Sequence, residues 1–287
     1  MKTYRASEAP ADPRSILVYG ESGVSKTRFC ATAQDYEPWS PSLLAVIGAE
    51  QASSVRDTPD LHVVELTTLE DIEWLKQYFL EGQPTTESKH TDVSTSETTT
   101  WPTFKSLSFD GLTEAQLILM GVKLGKPEKG RTIMGTSLSA LPPPAVQRDW
   151  GTSFNWCINL VRQFTIGFPV PVIFTALERY YEDKRSGDLS VSIGLPGQPS
   201  HIVPSKATVT MRLVRSRTFG LRATEWEQLH KLYERAVADH VTFPPLDNVG
   251  LLWSDGKFKA INRLGPQRWV FNPTVKRLLE LASVPES

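Results

Sequence analysis

A chain of 287 residues can bury a sizeable core, as one large domain or as a domain with an appendage. Its 40% hydrophobic and 22% charged residues are those of an ordinary globular protein, and no apolar run approaches the ~20 residues of a membrane span. Two cysteines, Cys30 and Cys157, are too few for a disulfide framework and lack metal-ligand spacing, so a reducing, cytoplasmic setting with no membrane partner is expected.

The net charge of −1 hides an asymmetry. Residues 50–114 carry 13 acids against four bases, whereas residues 184–223 carry seven bases against Asp188 alone. That basic block (Lys184, Arg185, Lys206, Arg212, Arg215, Arg217, Arg222) suits either a nucleic-acid backbone or a solvated face.

In chain order, residues 1–14 are polar, lack a secretory apolar stretch and read as a flexible tail. Apolar runs with strand character then recur at Ile16–Tyr19, Leu43–Ile47, Leu61–Leu66, Phe104–Phe109 and Val170–Phe174. Between them lie helical patterns: one follows Asp110 through Ala115, Leu117, Ile118 and Met120. Another places Phe154, Trp156, Leu160, Val161 and Phe164 along one stripe from about Thr152 to Thr165. Strands alternating with helices predict an α/β fold, a mostly parallel sheet covered on both faces. The Ser/Thr-rich segment 84–102 and the Gly/Pro-punctuated segment 125–147 read as mobile insertions within a core of residues 15–222. Residues 223–287 read as an extension packed on or beside the core. It would hold a helix over 224–242 capped by Thr224 and Glu227, a hairpin through Asp255-Gly256, and a last helix with Asn272 as cap and Pro273 in its first helical position.

The chemistry concentrates at "SILVYGESGVSKTRFC", residues 15–30. A buried strand leads into Gly20-Glu21-Ser22-Gly23-Val24-Ser25-Lys26-Thr27 and out through Arg28 into a helix, the pattern of a phosphate-binding loop. Such a loop turns successive backbone N–H groups toward an anion. Lys26 would reach the β- and γ-phosphates of ATP, and the Thr27 hydroxyl would join a Mg²⁺ shell. Ser25 stands where the pattern has glycine, a residue used there for unusual backbone angles or close approach to the ligand.

Further parts are expected at the carboxyl ends of parallel strands. "TFKSLSFDG" ends a strand at Asp110, a candidate for holding Mg²⁺; "LLAVIGAEQ" places Glu50 beyond a strand end, a candidate to polarise water; "VPVIFTALE" ends on Thr175, a candidate γ-phosphate sensor. Taken singly, each has a plainer reading: helix N-cap, solvated loop acid, strand-end threonine. Together and in this order they favour hydrolysis over mere binding.

These segments, with "RDWGTSFNWCINLVRQF" and "LPGQPSHIVPSKATVTMRL", resemble the RecA-like, AAA-type ATPases of bacteriophages related to RecA and RadA, over about residues 15–217. The resemblance implies a RecA-like P-loop fold, ATP and Mg²⁺ as cofactors, and a homo-oligomeric ring or filament. It also implies a role in recombination and annealing on single-stranded DNA, with a single-strand-binding protein as a further partner. It assigns Lys26, Glu50 and Thr175 to catalysis and Thr27 and Asp110 to the metal, and leaves Arg263 or Lys206 as a cation donated to a neighbouring subunit. Leu177 stands where a histidine is common in the family, and Ile261 where a lysine is common. For DNA, the first candidate is the stretch after the sensor strand, with Arg179, Tyr180, Tyr181, Lys184 and Arg185; the second is the 125–147 segment. Aromatics beside cations suit single strands, rings stacking on bases while cations hold phosphates. The competing reading is a nucleotide-binding assembly or regulatory module with weak or no turnover, favoured by Ser25.

Overall fold

The computed structural model describes residues 15–83, 101–123, 147–182, 189–195, 199–215, 248–252, 260–263 and 269–282. The N-terminal tail, nearly all of both expected insertions, the 224–242 helix, Asp255-Gly256, Lys184 and Arg185 lie outside these residues.

The centre is a run of parallel strands: β1 (Ser15–Gly20), β2 (Ser42–Val46), β3 (His62–Glu65), β4 (Ser106–Asp110), β5 (Val172–Glu182) and β7 (Val209–Arg215), in the spatial order β7-β1-β5-β4-β2-β3. The fold is therefore α/β with a mostly parallel sheet, as the alternation of patterns predicts. β5 lies between the strand leading into the phosphate loop and the strand ending at Asp110. Alternate residues feed two cores, one per face. Leu17, Tyr19, Leu43, Ala45, Phe109 and Phe174 face one core, which also takes side chains from α3 (Leu69–Leu80), α4 (Leu112–Lys123), α5 (Gln147–Thr165) and α6 (Pro199–Lys206). Ile16, Val18, Leu44, Val46 and Ile173 face the other, covered by α1 (Lys26–Ala31) and α7 (Val275–Ala282). Phe109, Phe164 and Phe174 meet at centroid separations of 6.0–6.4 Å, which pins α5 to β4 and β5. Among the described residues no helix is long and apolar enough to cross a membrane.

The described strands beyond residue 247 continue this sheet. β8 (Asn248–Leu251) and β9 (Ile261–Asn262) both pair antiparallel with β7, at its carboxyl and amino halves respectively. They therefore run in the same direction, one after the other along β7, and the hairpin expected at Asp255-Gly256 falls between them, outside the described residues; the antiparallel partner of β8 beyond β7 is β10 (Trp269–Phe271). At the start of α7 the capping role falls to Thr274, whose Oγ1 accepts from the Arg277 N–H at 3.1 Å. Asn272 instead takes a left-handed φ of 38° and accepts the Asn248 N–H on its Oδ1. A polar side chain three residues before the first helical residue instead accepts a backbone N–H of β8, while the nearer Thr274 reaches the helix donors.

β5 is unusually long. Its first half lies in the main sheet, and Glu178–Glu182 runs on as a two-stranded antiparallel ribbon with β6 (Leu189–Ile193). The stretch expected to bind DNA thus begins as a strand, and the ribbon starts where β1 turns into the phosphate loop.

Candidate functional site

The site is built at the carboxyl edge of β1, β5 and β4. β1 stops at Gly20 because nothing larger fits: a Cβ there would lie 2.3 Å from the Leu213 carbonyl oxygen of β7 and 2.9 Å from Val24 Cγ2. Val24 is buried and ties the middle of the loop to the core, while Glu21, Ser22 and Gly23 are exposed. Gly23 (φ 76°) and Ser25 (φ 70°, ψ 31°) both take left-handed backbone, turning the chain into α1. Ser25 thus occupies the conformation for which the pattern reserves glycine, and its side chain makes no capping bond in return.

Lys26 folds back over this turn, donating to the Gly20 carbonyl at 3.0 Å and the Glu21 carbonyl at 2.7 Å. Burial pushes its ammonium below the usual lysine range, and the nearby Asp110, Glu114 and Glu178 carboxylates oppose that shift. Thr27 Oγ1 donates to Asp110 Oδ2 at 2.6 Å. Thr175 Oγ1 donates to the other carboxylate oxygen and accepts the Gly111 N–H at 3.0 Å. Asp110 is 2% exposed, so two hydroxyls from two separate elements clamp a buried carboxylate. The structure therefore joins Lys26, Thr27, Asp110 and Thr175 as expected, with the Thr175 hydroxyl committed to orienting Asp110. The plain N-cap reading of Asp110 does not describe these bonds.

Glu50 falls in α2 (Ala49–Ser53), just past β2, where Val46 stands opposite Asp110. Its backbone thus reaches the same edge of the sheet. Arg28 pairs with Asp57, both side chains exposed.

Other expected residues lie elsewhere. Arg263 donates to the Ser205 carbonyl at 2.9 Å, its own N–H bonds Thr208, and Lys206 ends α6 beside it. Thr208 in turn bonds Ser15, the first residue of β1. The six residues of β1 separate these cations from Gly20 by about 17–20 Å, which neither side chain spans. Arg263 and Lys206 cannot serve their own chain's loop. On the β5–β6 ribbon, Tyr180 donates its hydroxyl to Glu21 Oε1 at 2.8 Å, so this face turns to the phosphate loop. Burial, with Glu21 and Glu178 as neighbours, raises that phenol. Arg179 lies one position along, on the opposite face by strand alternation, with its guanidinium 5.2 Å from the centre of the Tyr181 ring.

Three site residues escaped sequence reasoning. Glu114, one helical turn beyond Asp110, reaches back so that its Oε2 would lie 3.3 Å from a Cβ on Gly111; burial first, and then the Asp110 charge, raise its carboxyl. A carboxylate at i+4 from a strand-end aspartate was the available signal. Glu178 and Arg212 form a bidentate ion pair, Nε–Oε2 2.9 Å and Nη2–Oε1 3.1 Å, with side chains only 2% and 3% exposed. The pair crosses β1 at the foot of the phosphate loop, since Tyr19 is in register with Arg212 and Gly20 with Leu177.

The donor set suits a hard cation. Thr27 and Asp110 offer hydroxyl and carboxylate oxygens, and Mg²⁺ binds through one or two such groups with substrate phosphates completing its shell. Among the described residues no cluster of three or more His, Cys, Asp or Glu side chains forms an all-protein metal cage. No family model matches the chain, and neither does any curated protein.

Proposed function

We propose that the chain is a Mg²⁺-dependent ATPase of RecA-like type that works as a homo-oligomer on single-stranded DNA. The Thr27–Asp110–Thr175 relay carries this reading. It links a phosphate-loop hydroxyl, a strand-end carboxylate and the polar end of the strand between them, a combination that helix capping has no use for. The strand order adds support, because β5 brings Thr175 between β1 and β4.

Lys26 leaves its two loop carbonyls to bind the β- and γ-phosphates. The Thr27 hydroxyl and Asp110, the latter oriented by Thr175, would be the residues that hold Mg²⁺. When bound, Mg²⁺ offsets charge on the phosphates. Glu50 accepts a proton from the attacking water, and a neighbouring copy supplies a cation. Arg263 and Lys206 suit that last role, lying at the opposite end of β1 from the loop. Arg179 and Tyr181 offer a cation beside an aromatic ring for a DNA strand.

A nucleotide-gated binding module with little turnover is the second reading. The left-handed Ser25 and the self-satisfied Lys26 favour it. ATP hydrolysis with and without single-stranded DNA separates the two, on wild type, Lys26→Ala and Glu50→Gln. Turnover that rises with DNA and is abolished in both variants supports the ATPase. ATP binding lost in Lys26→Ala, with no turnover in wild type, supports the module. Wild type that neither binds nor hydrolyses ATP refutes both.

A further inference from the structure

Arg215 was counted in the sequence only as one charge of a basic block. It is the last residue of β7 and is exposed. β7 runs parallel to β1 with Arg212 opposite Tyr19, so Arg215, three residues on, stands level with the phosphate loop. There its Nη2 donates to the Gly23 carbonyl. A Cβ on Gly23 would lie 3.3 Å from that same nitrogen, so glycine leaves the space the guanidinium occupies. The two nearest alternatives are committed elsewhere, Arg212 to Glu178 inside the sheet and Arg28 to Asp57.

The side of the loop matters. Asp110 and Thr175 lie on β4 and β5, on one flank of β1, and they mark where the metal and the terminal phosphate would be held. β7 lies on the other flank. Resting on the ATPase reading above, we propose that Arg215 is a second cation of the nucleotide site, one that grips the phosphate chain away from the metal end. Its planar fork matches two phosphate oxygens, and its distance from the scissile end makes its contribution one of binding rather than of bond cleavage. The ligand class is any nucleoside carrying both α- and β-phosphates, so ADP and ATP profit alike.

Calorimetric titration of Mg·ADP and Mg·ATP into the full chain tests this, using wild type, Arg215→Ala, Arg215→Lys and, as a control, Lys26→Ala. Arg215→Ala should weaken both nucleotides by the same factor, about tenfold or more for a lost charged hydrogen bond. KM for ATP should rise in step while kcat holds, and Arg215→Lys should recover part of the loss. Unchanged affinities in Arg215→Ala would reduce the Gly23 bond to a structural tie and overturn the proposal. A loss confined to ATP, or a fall in kcat at unchanged affinity, would place the side chain at the terminal phosphate and overturn it equally. If wild type binds neither nucleotide, the ATPase reading fails and this one falls with it; if only the Arg215 variants keep wild-type affinity while Lys26→Ala loses it, this inference alone fails.

Discussion

Replacing Ser25 by glycine isolates the residue that breaks the phosphate-loop pattern. Ser25 sits at φ 70°, ψ 31°, where a Cβ crowds the following carbonyl at a cost of about 1–2 kcal/mol. Glycine removes that crowding, but its greater freedom in the unfolded chain takes back about 0.4–1 kcal/mol. No capping bond is lost with the hydroxyl, and the backbone bond from the Phe29 N–H to the Ser25 carbonyl (3.0 Å) is untouched. The balance is a gain of about 0.5–1 kcal/mol, which for a chain of this size raises Tm by about 1–4 °C. Thermal unfolding followed by far-UV circular dichroism resolves that shift, and a parallel ATP titration should show affinity no weaker than wild type. An unchanged or lower Tm would refute the argument, because it would mean that the serine side chain stabilises the loop by more than its backbone strain costs.

Thr175→Val keeps the side chain's shape but strands the buried Gly111 N–H and removes one bond to Asp110, so urea unfolding should show a loss of about 1–3 kcal/mol that Thr175→Ser largely restores. Glu178→Ala removes the bidentate carboxylate partner of the buried Arg212 guanidinium and should cost about 3–5 kcal/mol in the same assay, far more than removing the exposed Arg28–Asp57 pair. Burial raises the Glu114 carboxyl, so its contribution to stability is full below the ordinary carboxylate range and is lost as pH rises through the raised value. Glu114→Gln abolishes that loss. Its urea midpoint should therefore climb relative to wild type as pH rises from the ordinary carboxylate range through the raised value, and a constant offset would count against the assignment.

What the sequence made legible is what short-range pattern controls. The apolar runs of β1, β2, β3 and β4 appear within two residues of their expected bounds, because each buries within the sheet, whereas β5 runs on to Glu182, eight residues past its expected end, and α5 starts five residues early at Gln147. The strand–turn–helix of residues 15–31 was legible for the same reason, a strand, a glycine-bearing turn and a helix being adjacent in the chain. What stayed hidden depends on contacts made across the chain. β7, with arginines at 212 and 215, reads as part of a basic surface, yet its interior residues are buried and Arg212 is neutralised by Glu178, 34 positions away in sequence. A charge count assigns such an arginine to solvent because it cannot see the partner.

The same long-range placement divides the described members of the basic block between two ends of the sheet. Of its members among the described residues, Arg212 braces the foot of the phosphate loop, Arg215 holds the loop's Gly23, and Lys206 ends α6 at the opposite edge of the sheet. Three cations from one stretch of sequence therefore act at two ends of the fold and cannot form a continuous track for a phosphate backbone. Among the described residues, the candidate face for a DNA strand is instead the β5–β6 ribbon, where Tyr180 bonds Glu21 of the loop. A ligand that moves either the loop or the ribbon has to break or keep that one hydroxyl bond, so Tyr180→Phe should alter how ATP and DNA affect each other's binding while leaving each alone nearly unchanged. Equal ATP affinity ratios with and without single-stranded DNA in wild type and Tyr180→Phe would sever that link.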